Sequence, residues 1–168
     1  MRRFFLSAAW LALFLVSPRA GAFDPDSGDL SRNLPTDVRV LTYNTHREFI
    51  ASPSADDEYG RILSALDPDI IAFEEIYFTV TPAAIKTRLE SILGGTWSVW
   101  TGEYSYYYVE GDKVLDVCNA IASRWPLPMQ RWDTSPASAL RGVTMALVDL
   151  PDETYPRDFY VMGVHLKS

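Results

Sequence analysis

Asp67-Pro68-Asp69-Ile70-Ile71-Ala72-Phe73-Glu74-Glu75-Ile76 is the stretch whose reading decides the fold. Proline cannot continue a helix and pushes the residue before it toward extended geometry, so Asp67-Pro68 closes whatever helix precedes it. Ile70, Ile71, Ala72 and Phe73 form a continuous apolar run, which suits a strand covered on both faces. Two carboxylates then stand where that strand should run out, and in open α/β sheets ligands gather at such ends. The stretch therefore predicts an α/β sheet with its active edge at Glu74 and Glu75, Glu74 turning to the opposite side of the pleat from Glu75.

Upstream, Tyr59, Ile62, Leu63 and Leu66 recur at helical spacing, predicting a helix over residues 56–66 with one buried stripe. Before it, residues 37–44 alternate as a strand, with Val38, Val40 and Thr42 on one face and Arg39, Leu41 and Tyr43 on the other. Strand, helix and strand make a βαβ unit, whose crossover sets the two strands parallel. Asn44 and Glu75 should then emerge along one edge. Downstream, Thr81-Pro82 opens a second helix and Gly94-Gly95 stops it, with Ile85, Leu89, Ile92 and Leu93 as its buried face. Short, mainly antiparallel strands are expected at 97–101, 104–109, 113–123, 127–132, 143–150 and 158–165, with turns at Glu110-Gly111-Asp112 and Pro151-Asp152-Glu153.

Composition sets the outer bounds. The 168 residues, 48% hydrophobic and 13% aromatic, suffice for one globular domain with a real core. Residues 1–22 read as a secretory signal peptide: Met1-Arg2-Arg3 is positive, residues 4–16 are apolar, and Ala20-Gly21-Ala22 is a small-x-small cleavage site. The apolar run is too short for a spanning helix, so no stable membrane anchor is expected after cleavage, and the mature chain should be secreted or periplasmic. Residues 23–36 form an extended lead-in and 37–168 the domain. Cleavage removes Arg2, Arg3 and Arg19 and no acid, taking the balance from 15 bases against 22 acids to 12 against 22, near −10. Such a surface argues against broad electrostatic capture of DNA but not against a metal-dependent phosphodiester site. Cys118 is the one cysteine and reads as a buried, inert thiol.

Several residues carry candidate chemistry, each beside a plainer alternative. Glu75 is a ligand for a hard divalent cation or a solvated strand-end carboxylate. Asn44 supplies a neutral oxygen to the same cation or shapes a turn. Arg124, at a strand end shortly before a proline in the segment Asn119-Ala120-Ile121-Ala122-Ser123-Arg124-Trp125-Pro126-Leu127, forks onto a phosphate or stacks on Trp125. His165, closing what reads as another buried strand, protonates a leaving group, binds the scissile phosphate, or is a satisfied core histidine. His46 and Arg47 suit the surface. The tyrosines in Tyr104-Ser105-Tyr106-Tyr107-Tyr108 fit alternating sheet core better than a stacking or lipid-facing surface.

Taken together, these residues resemble the endonuclease/exonuclease/phosphatase superfamily, which includes DNase I-like nucleases, sphingomyelinases and inositol polyphosphate phosphatases. Leu41-Thr42-Tyr43-Asn44 is similar to its first strand, ending in the metal-site Asn. Asp67 to Ile76 is similar to its second motif, with Glu75 as the metal-binding Glu and Glu74 where Gln is usual. Asn119 to Leu127 resembles the segment written N-A-I-L-S-R-x-P-L. Val164-His165-Leu166-Lys167-Ser168 is similar to the motif carrying an active-site His, and Arg141-Gly142 is a lesser match. The resemblance implies an α/β fold, a four-layer α/β/β/α sandwich, represented here by roughly the first sheet with its helices and part of the second. It implies Mg²⁺, with Mn²⁺ as the alternative, held by Glu75 and Asn44, and in-line hydrolysis of a phosphoester in a nucleic acid, phospholipid or small molecule. His165 and Arg124 would be catalytic, and Arg124 and Asn119 would contact phosphate.

The later G-D-x-N and S-D-H motifs of that superfamily have no counterpart in these 168 residues. The chain by itself is therefore expected to be inactive and incomplete at its C-terminal side, with an uncovered inner sheet face that favours self-association. The competing expectation is a short, non-catalytic secreted binding protein that keeps the half-fold.

Overall fold

A computed structural model describes residues 30–47, 56–133 and 143–165. The signal peptide, Arg141-Gly142 and residues 166–168 lie outside the described residues. Two compact units divide the chain, Met1–Pro35 and Thr36–Ser168. Of the first, residues 30–35 are described and contain no helix or strand.

In the second unit the chain runs β1 (Val40–Asn44), α1 (Asp56–Leu66), β2 (Ile70–Tyr77), α2 (Pro82–Leu93), β3 (Ser98–Thr101), β4 (Tyr106–Val109), β5 (Asp112–Leu115), β6 (Val117–Ser123), β7 (Met129–Asp133), β8 (Val143–Val148) and β9 (Phe159–Gly163). Asp67, at φ 40°, takes a left-handed turn instead of the extended geometry expected before Pro68, and α1 stops there. Thr81 caps α2 by accepting from the Ala84 N–H at 3.1 Å, Pro82 fills the first turn, and Gly94 ends the helix at φ 65°.

One sheet has the order β1-β2-β6-β3 and another the order β7-β8-β9, while β4 and β5 pair as a separate hairpin. β1 and β2 are parallel, with Asn44 opposite Glu74, as the crossover requires. β6 lies antiparallel between β2 and β3. On one side of the first sheet, Ile71, Phe73, Ile76, Cys118, Ala120 and Ala122 meet Leu63 of α1 and Ile85 and Leu89 of α2. On the other, Ile70 and Ile121 meet Ala146, Val148 and Val161 of the second sheet. Helix, sheet and sheet thus form three of the layers of an α/β sandwich.

Several expectations change. Ile62 is exposed rather than part of the α1 stripe, leaving Leu63 as that helix's buried anchor. The strand expected over 113–123 breaks at Asp116, because β5 pairs with β4 and β6 joins the main sheet. Tyr106 and Tyr108 lie on the hairpin and are exposed, so they are not sheet core. The second sheet covers the inner face of the first over β2 and β6, but not at β1, where Val40, level with Ile70, is 53% exposed. Apolar surface is also open on the outer face of β7-β8-β9, where Met129, Tyr160 and Met162 are all at least half exposed.

Candidate active edge

β2 does not run out at the two carboxylates. It continues to Tyr77 through a bulge: Phe73 pairs with Ala120 and Ile76 with Cys118, so two residues, Glu74 and Glu75, face the single residue Asn119. Glu75 absorbs the extra length with φ 58°. A non-glycine residue held there stores on the order of 1–3 kcal/mol of strain, which surrounding contacts must offset. The bulge also shifts the side-chain phase. Ile71, Phe73 and Ile76 all pack on the helix side, so the two-residue alternation that would send Glu75 there too is broken.

Glu75 instead meets the second sheet. Its Oε1 lies 3.7 Å from Nε2 of His165, an ion pair whenever the imidazole is protonated, and the two side chains are only 13% and 16% exposed. His165 arrives two residues past the end of β9. That strand is not buried on both faces as its sequence suggested: Tyr160, Met162 and Val164 face outward, while Val161 and Gly163 face the first sheet.

Asn44 reaches the same edge through its pairing with Glu74. Its side-chain Oδ1 accepts the His46 N–H at 2.9 Å, so it also makes the turn that the plainer reading assigned it. His46 and Arg47 are exposed, and Arg47 pairs with Asp116 at 2.9 Å. Asn119 lies level with the bulge but is buried. Its Nδ2 donates to the Gly163 carbonyl at 3.5 Å, which ties β6 to β9 just ahead of His165 and takes the amide out of direct reach of a phosphate.

Arg124 is not brought to this edge. β6 is antiparallel to β2, so the residue following Ser123 stands beside the start of β2, and Glu75 is about 15 Å further along at roughly 3.3 Å per residue. There Nη2 of Arg124 binds Asp67 Oδ1 at 3.0 Å, and Nε donates to the Pro68 carbonyl at 3.2 Å and lies 3.8 Å from Asp69. The guanidinium covers the ring of Trp97 at 4.9 Å, not that of Trp125. The structure makes it a clamp on the α1–β2 corner instead of a phosphate contact beside Glu75.

Thr45 went unnoticed in the sequence. It is 2% exposed, and its hydroxyl donates toward the carbonyls of Glu74 and Glu75 at 3.0 and 2.9 Å. No local pattern signals it, because its partners lie in another strand.

Among the described residues, no group of three or more His, Cys, Asp or Glu side chains is set to hold a metal ion. The donor set at this edge is one carboxylate, Glu75, and one amide oxygen, Asn44. That matches a hard cation keeping most of its waters and taking the rest of its ligands from a phosphate. It does not match a closed protein cage.

No protein-family model matches the chain, and no curated protein matches it. Solved structures do. An endonuclease/exonuclease/phosphatase family protein from Leptotrichia buccalis C-1013-b superposes with a TM-score of 0.55 at 10% identity, over 78% of this chain. An endonuclease/exonuclease/phosphatase from Beutenbergia cavernae DSM 12333 gives 0.54 at 21% identity, over 77% of this chain. The chain spans 54% of the first and 38% of the second. At such identities the likeness is one of fold.

Proposed function

We propose, from the premise that this chain has the fold of the endonuclease/exonuclease/phosphatase proteins, that its Glu75 edge is the metal side of a phosphoester-hydrolase site. The observation that carries the reading is the Glu75–His165 contact at 3.7 Å, between a residue of the first sheet and one that follows the last strand of the second, at a partly buried edge. Glu75 would hold Mg²⁺, with Mn²⁺ as the alternative, and a second lone pair of Asn44 Oδ1 would complete the protein's share. A cation bound there would offset negative charge on a phosphoryl oxygen. His165 would donate a hydrogen bond to the phosphate or a proton to the leaving oxygen. Asn119 supports His165 through Gly163, and Arg124 stabilises the far corner.

Water still needs a base, and the developing charge needs further donors; losing such groups typically costs about 10²–10³ in rate each. Residues 1–168 contain no Asp-x-Asn or Asp-His pair to serve. By themselves they should therefore show negligible Mg²⁺-dependent hydrolysis of bis(p-nitrophenyl) phosphate and only weak Mg²⁺ binding, lost in Glu75→Gln. Robust turnover that disappears in Glu75→Gln would overturn the claim of inactivity while supporting the site.

The competing reading, a non-catalytic secreted binding protein, is separated by the DNA beyond codon 168. Downstream G-D-x-N and S-D-H codons support the hydrolase, and a stop with neither supports the binding protein. For either, the N-terminal pattern supports export with Phe23 as the new N-terminus. Intact Met1 in a cytosolic fraction would refute that.

A further inference from the structure

We propose that Thr45 is a positioning residue: its hydroxyl locks the β2 bulge and thereby holds the Glu75 carboxylate against His165. The proposal rests on the reading of Glu75 as the cation ligand. A regular pleat would send Glu75 to the helix side with Phe73. The site exists because Glu75 instead sits at φ 58°, in a conformation its own side chain disfavours.

Something must hold the two carbonyls that this turn displaces, and three donors from one short segment do so. The Thr45 N–H donates to the Glu74 carbonyl at 2.9 Å, and the Arg47 N–H donates to the Glu75 carbonyl at 3.1 Å. Between them the Thr45 hydroxyl reaches both carbonyls, at 3.0 and 2.9 Å. His46 and Arg47 take positive φ, 47° and 70°, which curls the chain enough for all three donors to point at the bulge. Thr45 is almost wholly buried, so water does not replace the hydroxyl when it is removed. Two of the donors are backbone and survive any substitution except proline. The hydroxyl is the one contribution that the choice of residue at position 45 controls. Serine keeps it, and valine keeps the shape without it.

The test uses the full chain and the ring signals of its two histidines, His46 and His165, followed by NMR. Without metal, Thr45→Val should shift the His165 ring signals as the carboxylate beside it moves, and Thr45→Ser should leave them in place. With Mn²⁺ as the probe, the unaltered chain and Thr45→Ser should show paramagnetic broadening of His165, and Thr45→Val should need about tenfold more Mn²⁺, the usual loss when a ligand's support is removed. The amide signals of Gly94 and Gly95, at the opposite end of the sheet, report whether a variant has kept its fold. If Thr45→Val fails that check, the unaltered chain decides: the Thr45 hydroxyl proton must be protected from exchange, and rapid exchange overturns the proposal. Equal shifts in the Ser and Val variants, or none in Val, also overturn it. Absence of Mn²⁺ broadening in the unaltered chain would instead refute the cation reading, leaving the metal-free shifts to judge Thr45.

Discussion

Glu75 and Arg124 are both charged side chains that the sequence places at strand ends, yet Glu75 sits at a bulge beside His165 and Arg124 is bound up at the opposite end of β2. Arg124 is fixed by Asp67, Asp69 and the Pro68 carbonyl, and it closes the corner where α1 hands over to β2. Hydrogen bonds to charged groups contribute about 1.5–3 kcal/mol each when buried, and partial exposure here discounts the set. Arg124→Ala should therefore cost about 2 kcal/mol in urea denaturation and leave Mn²⁺ broadening at His165 unchanged. Loss of that broadening with stability intact would restore a role for Arg124 at the site. Local sequence showed an Arg before a proline. It could not show which end of which neighbouring strand that Arg would meet.

At the scale of the element, the helix ends were legible because their chemistry is local. Thr81-Pro82 and Gly94-Gly95 bracket α2 as the sequence predicts, and Thr81→Ala should cost about 1 kcal/mol of stability, measured by thermal or urea unfolding. Strand ends were less legible, since pairing partners decide them. β6 illustrates this: Asp116 separates it from β5 only because the two pair with different strands.

β6 also carries an alkaline liability. Burial pushes the Cys118 thiol up to about 12, and burial followed by the neighbouring Cys118 pushes the Tyr104 hydroxyl up to about 12. Both groups are neutral in the folded chain and ionise more readily in the unfolded one. Their contribution is thus fully present below the ordinary thiol and phenol values and lost as pH rises from about 9 toward 12. Denaturation midpoints should fall across that window, and less steeply in Cys118→Ala. An equal fall in the variant would show that the thiol plays no part.

For the whole molecule, the consequential surface is the outer face of the second sheet. Met129, Tyr160 and Met162 form an apolar patch on β7 and β9, and the opposite face of β9 packs through Val161 against the first sheet. The chain should bind a hydrophobic dye and self-associate with rising concentration, and Met162→Lys should weaken both. A strictly monomeric chain with no dye binding, by sedimentation and fluorescence, would count against this. The expected uncovered inner face is confined to β1, where Val40 stays exposed, because three strands of a second sheet cover Ile70 and Ile121. A second exposed face lies outward, where alternation places Tyr160 and Met162.

The sequence by itself determined the βαβ unit, the parallel direction of its strands, both helices and the shared edge of Asn44 and Glu75. Each follows from short-range rules: proline and glycine stops, apolar period, and the handed crossover. Only the tertiary structure decided which way Glu75 points. One extra residue between Phe73 and Ile76 reverses the side-chain phase, and neither carboxylate reveals it, because the bulge is held by carbonyl contacts to Thr45 and Arg47 in the neighbouring chain segment. The same holds for His165 reaching Glu75 and for Arg124 being drawn away. A side chain's neighbours across a sheet are fixed by register and bulges, which no window along the chain contains.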